Sequence, residues 1–377
     1  MSAQGSQGTP SVEQLLKMVR QPTAAGITAG ITTTGPPYPP QGAGLGGIPT
    51  NAVDTPISAV FIAVFITSAA LNMIIFQRNR RRGHKFVLSA LLFGFSMARI
   101  GANVMRIVWA NYPHNAQIAI AATILTNAGV ILLFIVNLIL AQRILRAHQP
   151  RLGWTRAASL AFELLYGTVI ALLVMAIIST VYSFYTLDAH VHVQLRDVQL
   201  FAVTFLAVLA FLPIPIIAVA VLLPLPPRRD PVENFGAKGR MTTKIVLVIF
   251  TAALLTLGAG FRAGVAYVPR PASNPGWFHH RAAYYCVNFT IEAVVVFTYA
   301  LSRFDLRFHV PNGASGPGHY ANGVARDAKI VAPSEDPPRT EAEQGEKERQ
   351  WESSLRREMQ TQEAVLSSRR RSLEVHA

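Results

Sequence analysis

Cysteine is almost missing from this chain. Cys286 stands alone among 377 residues, so no intrachain disulfide can hold the exposed loops, which must rely on packing. Charge is scarce as well. Asp, Glu, Lys and Arg supply 14% of the residues, against about 25% in an ordinary soluble domain. Several catalytic signatures are also absent: there is no HExxH, nucleophile elbow, P-loop or pair of aspartates. The connections between apolar runs are too short to house a soluble catalytic domain. These absences argue against an enzyme and imply no cofactor. The formal net charge of +14 does not point to nucleic acid either, because the basic residues form short clusters at the ends of apolar runs rather than one binding face.

What the chain has in abundance is apolar sequence, 51% of the total. A helix needs roughly 20 apolar residues to cross a hydrocarbon core of about 30 Å. Seven stretches meet that requirement: 55–76, 86–109, 116–141, 157–185, 198–223, 243–267 and 282–301. Backbone groups cannot stay unpaired in lipid, so these runs are expected to be helices. The strand alternation of a membrane barrel is missing. The fold class expected is an all-α integral membrane protein, a seven-transmembrane helix bundle. Its parts are an extracellular N-terminal segment 1–53, the bundle 54–311 and a cytoplasmic tail 312–377. Residues 1–51 lack the apolar core of a cleavable signal peptide, so the first span is expected to act as an uncleaved signal-anchor.

Orientation follows from lysine and arginine. Arg78, Arg80, Arg81, Arg82 and Lys85 lie in the first connection, Arg143, Arg146, Arg151 and Arg156 in the third, and Arg228, Arg229, Lys238 and Arg240 in the fifth. The other side holds only Arg196, Arg270 and Arg281. Trp109, Tyr112, Tyr185, Tyr267 and Trp277 mark that second side as interfacial anchors. The expected topology is N-out/C-in, with the plasma membrane as the expected location and an endomembrane as the alternative. Both termini read as disordered tails. Residues 1–51 are rich in Gly, Pro, Thr and Ser, and 312–338 in Gly, Pro and Ala. Residues 341–373 are dense in charge, with Trp351, Leu355, Met359 and Leu366 near helical spacing, a solvated tail that would suit a cytoplasmic signalling partner.

Charges at membrane depth are costly and mark candidate sites. Arg99, Asn103 and Arg106 share one face of the second span, and Asn288 and Glu292 lie one turn apart in the seventh. Counting the helical rise from the outer ends puts Arg99, Glu292 and Asn127 each about 15 Å deep, near the midplane. An Arg99–Glu292 ion pair is therefore expected, with helices two and seven adjacent and Asn127 or Asn288 meeting its remaining hydrogen bonds. Arg106 and Arg262, about 5 and 8 Å deep, are expected to snorkel to headgroups or to line an outward vestibule for anionic ligands. The same pair could equally serve only to fix helix register. Gly260 and Gly264 form a GxxxG expected to pack internally, and Pro213 and Pro215 should interrupt the fifth span. His190, His192, His279 and His280 form two outer pairs of metal-binding type, but nothing in the sequence sets their separation.

Seven spans invite comparison with G-protein-coupled receptors, yet the third span ends Ala141-Gln142-Arg143-Ile144 and the seventh lacks NPxxY. No lysine in the seventh span could hold retinal. A different set of residues carries a closer likeness: Phe261-Arg262-Ala263-Gly264, Pro269-Arg270-Pro271, Tyr284-Tyr285 with Asn288 and Glu292, Ser302-Arg303-Phe304-Asp305 and Val310-Pro311. Over residues 55 to 312 the chain resembles an uncharacterised fungal seven-span family classed as a domain of unknown function. Its layout is similar to the RTA-like lipid-translocating exporters and, more distantly, to PTH11-type receptor candidates. The resemblance implies a fungal origin and a seven-helix bundle. Two activities follow as expectations: a receptor-like sensor with an outer pocket between spans two, three, six and seven, or a lipid or amphiphile transporter. The bilayer and a lipid or small amphiphilic ligand are the expected partners.

Overall fold

The computed structural model describes residues 35–38, 42–84, 86–223, 232, 235–311 and 314–320. The Arg228–Arg229 pair, the 341–373 segment and most of both tails lie outside these residues. Among the described residues the chain is helical, with one isolated bridge between Gly42 and Pro271. Seven helices are long and apolar enough to cross a membrane: α1 Asp54–Arg81, α2 Val87–Asn111, α3 Ala116–His148, α4 Arg156–Ser183, α5 Ala189–Leu222, α6 Met241–Tyr267 and α7 Arg281–Leu301. Most exceed the apolar runs in the sequence because a helix continues into the interface once its backbone bonds are formed; α1 thus carries Arg78, Arg80 and Arg81 in its last turn.

Side chains start several of these helices. Asn115 accepts from the amides of Gln117 and Ile118 at 3.0 and 3.3 Å, Thr155 from Ala158 at 3.1 Å, and Asp188 from His190 at 2.8 Å. Each satisfies amides that a first helical turn leaves without partners.

The helices pack in a ring in chain order, α1 most extensively on α2 and α7 closing on α1 and α6, while α3 also reaches α5 and α6. Accordingly α3 is the most buried of the seven and α4 the least. Leu160, Leu164, Ile170, Val174 and Ile178 project outward along α4, as expected of a helix facing lipid. Gly260 and Gly264 also face outward with no neighbour near them. The GxxxG therefore does not pack internally; the buried face of α6 is instead Val248, Thr251, Leu255 and Ala259.

Three spans are interrupted. In α3 the α-helical hydrogen-bond ladder lapses at Gly129 and Val130, which keep helical dihedrals while Leu132 and Leu133 bond only three residues back, to Gly129 and Val130. In α5 it breaks at Leu212, where Pro213 can donate no amide. In α7 residues Cys286–Thr290 form a π-helical turn ahead of Ile291.

At the outer end, in the orientation given by the charges, residues 42–53 lie across the bundle as a strap. Ala43 donates to the Arg270 carbonyl at 2.9 Å and Gly46 to that of His279 at 3.0 Å. The expected boundary at residue 53 therefore falls inside an ordered segment: a Gly-rich stretch has little side chain to bury, but its backbone finds partners on the α6–α7 connection. At the other end Tyr320 is buried against Trp154 and Phe235, so the packed chain also runs past residue 311.

Candidate functional site

Down the middle of the bundle runs a column of polar side chains, and its centre is Glu292. Arg99 grips this carboxylate with both edges of its guanidinium, Nη2 to Oε1 at 2.7 Å and Nε to Oε2. A two-point pairing of this kind best offsets the cost of burying both charges. Neither side chain is exposed at all. Arg262 adds a second cation, Nη2 to Oε1 at 3.4 Å, while its Nε turns back to the Gly258 carbonyl of its own helix. Two guanidiniums thus share one carboxylate.

The break in α3 supplies the rest of the shell. Arg99 Nη1 donates to the Thr126 carbonyl at 2.6 Å and to that of Leu125 at 3.4 Å. These oxygens lie in the last turn before the interruption, where an α-helix has carbonyls to spare. Gly129 lets the guanidinium sit against the break, since a Cβ there would lie 3.2 Å from Arg99 Cζ. The rings of Phe95 and Phe289 flank the cation, each 5.5 Å from Cζ.

The residues singled out in the sequence therefore divide. Arg99, Arg262 and Glu292 come together. Asn103 is buried one turn from Arg99 and donates to its carbonyl at 2.9 Å. Asn288 is buried one turn from Glu292, and neither its Oδ1 nor that of Asn103 has a partner. Asn127 does not join them. It faces outward, because one residue around a helix turns the side chain by about 100°, and Thr126 holds the inward position. Nor does Arg262 snorkel; the carboxylate draws it inward. Helix α7 packs its backbone on α1 and α6 rather than on α2, and the long Arg99 side chain spans the difference.

Arg106 departs furthest from expectation. It is 2% exposed and neither snorkels nor lines an open vestibule, because an acid that the hydropathy pattern places at a helix edge lies beside it. Asp54, at the start of α1, accepts on Oδ1 from Arg106 Nη2 and Nε at 3.0 and 3.2 Å. It also takes the Tyr285 hydroxyl at 3.0 Å, the Thr50 amide at 2.9 Å and Arg281 Nε at 3.2 Å. The remaining donors of Arg106 reach the strap, Nη1 to the Gly47 carbonyl at 3.0 Å and Nη2 to that of Gly46 at 2.8 Å. Gly46 is required on two counts: its φ is +82°, and a Cβ would drive into the Tyr284 ring. The signal that could have identified this cluster is an acid at the head of an apolar run with an arginine at the same depth on the next span.

Thr126 joins the two clusters. Its carbonyl takes Arg99, its hydroxyl shares a 3.2 Å hydrogen bond with Tyr284, and the Tyr284 ring lies 4.5 Å under Arg106. Toward the end opposite the strap the column continues through Asn137, Thr251 and Tyr299; the Thr251 and Tyr299 hydroxyls meet at 2.8 Å and both donate to the Asn137 Oδ1. It ends at Asp305, buried between Asn79 and Arg303 at 3.1 Å each. Its hydrogen bonds with Asp305 push the Arg303 guanidinium above its ordinary pKa. Phe235, Phe304 and Phe308 close this end.

The outer histidines act locally. His192 bonds the Thr186 carbonyl at 3.0 Å and His280 caps α7 through Ala282 at 3.2 Å. His279 accepts from the Gly276 amide at 3.2 Å, and burial holds its imidazole below the ordinary value. Among the described residues no three His, Cys, Asp or Glu side chains come together in a way that would hold a metal ion.

Seven membrane-length helices around a buried polar column define a multi-pass membrane protein. A family model described as a protein of unknown function (DUF3112) matches residues 150–237 and 233–309, a stretch that contains Arg262 and Glu292 but neither Arg99, Arg106 nor Asp54. No curated protein and no solved structure matches the chain.

Proposed function

We propose that this protein is a receptor-like membrane sensor, N-out/C-in and most at home in the plasma membrane, which carries a signal from its outer end to the cytoplasmic side. One observation carries the reading: the strap, Arg106, Tyr284, Thr126, Arg99 and Glu292 form a continuous series of contacts. That series adjoins the lapse in the α3 hydrogen-bond ladder and flanks the π-helical turn of α7, and π turns are frequent at functional sites. A change at the strap would thereby bias helices that have more than one way to close their backbone bonds. The aromatic seal at Phe235, Phe304 and Phe308 favours a sensor over a carrier, which needs a route to both leaflets. A cytoplasmic partner would read the change through the tail.

The second reading is an amphiphile or lipid transporter of the RTA-like type. It draws on the interrupted helices at the charged centre, an arrangement that transporters also use. The full chain reconstituted in vesicles with a fluorescent phospholipid separates the two. A sensor leaves lipid exchange at the rate of protein-free vesicles, whereas saturable translocation lost in Arg99→Met would establish the transporter. Reporter tags after Asn51 and at Ala377 are expected on opposite faces of the membrane, and tags on the same face would overturn the orientation.

A further inference from the structure

The outer cluster is unbalanced in charge and in donors. Two arginines, Arg106 and Arg281, face one carboxylate, Asp54. The Trp109 indole lies 5.5 Å from the Arg106 guanidinium, in the outer part of α2. Trp109 is more than nine-tenths buried, and its Nε1–H has no acceptor. The oxygens that Arg106 meets beyond Asp54 are the Gly46 and Gly47 carbonyls. Both glycines have positive φ, +82° and +58°, which turns two successive carbonyls onto one guanidinium. Neutral carbonyls are weak partners for that fork; a carboxylate or phosphate would present paired oxygens and a charge, and charge-assisted hydrogen bonds are about twice as strong.

The strap is held by a small set of named contacts. Apart from Arg106, its middle is fixed by the Ala43 and Gly46 amide bonds, by the bridge from Gly42 to Pro271, by a His279 hydrogen bond to the Ala43 backbone and by the buried Pro49. Leu45 packs against the core, but Ile48 stays 57% exposed. Displacing the strap's Gly46–Ile48 tip opens the positive cluster to the outer side, where Arg281 is already one-third exposed.

We infer that Arg106 and Arg281, with the Trp109 indole, form an anion-binding site, and that the Gly46–Gly47 carbonyls are its built-in competitor, displaced when a carboxylate or phosphate group enters. This rests on the sensor reading above and supplies its ligand class. The anionic group can arrive on a water-soluble molecule or on a lipid headgroup, and both present the same oxygens.

The test uses the full chain in nanodiscs, with Ile48→Cys carrying a spin label and Cys286→Ser removing the native thiol. One arm titrates inorganic phosphate and acetate into phosphatidylcholine discs. A second replaces part of the lipid with phosphatidic acid. Gly46→Ala, which forces the strap off Tyr284, gives the spectrum of the released strap without any anion. The expected result is saturable release in one arm, identifying the source, with about tenfold weaker binding in Arg281→Gln and a smaller loss in Trp109→Phe, which keeps the ring and removes only the N–H. An immobile label in both arms, while Gly46→Ala is mobile, overturns the anion site. Release by anions that is equal in Arg281→Gln and Trp109→Phe overturns it too, since the response then comes from elsewhere. A second label near Asp305 separates the two ideas. Release at the strap with no change there supports the anion site and refutes the sensor.

Discussion

Glu292 has more cationic partners than a register-fixing ion pair needs. Replacing Arg99 alone strands this carboxylate with the longer Arg262 contact, and removing one member of a buried pair typically costs about 3–5 kcal/mol. Arg99→Ala is expected to lower the unfolding free energy in detergent by that order. Replacing the pair as Arg99→Met with Glu292→Leu leaves Arg262 without an acid, so it should recover only part of the loss. The triple variant with Arg262→Met should recover most of it, and a double variant as stable as the triple would show that Arg262 contributes nothing. His279 provides a second test at this scale. Its imidazole is held below the ordinary value of 6.5 by burial, so the unfolded chain takes up the proton first and stability falls as the pH drops below about 6.5. Protonation also removes the acceptor used by the Gly276 amide. The protection of the Gly276 and Gly46 amides, taken relative to the intrinsic exchange rate at each pH, should therefore fall on acidification, and His279→Gln should remove that change.

The break in α3 does two things that an unbroken helix could not: it presents Thr126 and Leu125 carbonyls to Arg99, and it places Gly129 against the guanidinium. Gly129→Val should cost about 1–3 kcal/mol through overpacking and loosen the Arg99 contacts, measurable as a lowered melting temperature with faster exchange at α2. A variant as stable as the parent would mean that the break closes and the arginine finds other partners. The seven spans and the shared depth of Arg99 and Glu292 were legible because length, hydropathy and rise per residue are properties of single helices. Azimuth and interruptions were not. Choosing Asn127 over Thr126 was an error of one position in rotation, and Arg262 was placed by depth although its direction depends on where α7 lies. Asp54 looked like a helix edge, and the strap looked like any Gly-rich linker, because what orders it is a set of backbone bonds to residues more than 200 positions away.

At the scale of the molecule, the polar column runs toward the end of the bundle at which Tyr320 lies against Trp154 and Phe235. A chain ending at Val324 should insert and melt like the full protein. One ending at Pro311 gives up the buried Tyr320 ring and should lose about 1.5–3 kcal/mol; equal melting of the two would show that this ring adds nothing to the fold.

The two buried clusters also differ in when they can exist. Asp54 and Arg106 are 52 residues apart, so the outer acid has already been made when its arginine leaves the ribosome. Arg99 and Glu292 are separated by 193 residues. At 5–20 residues per second, that is a wait of about 10 to 40 seconds for a guanidinium at the depth of the bilayer centre. The carbonyls at the α3 break, made within 30 residues of Arg99, are the first acceptors to arrive. On that order of synthesis the α3 carbonyls would be within reach of the arginine well before the seventh helix delivers its acid.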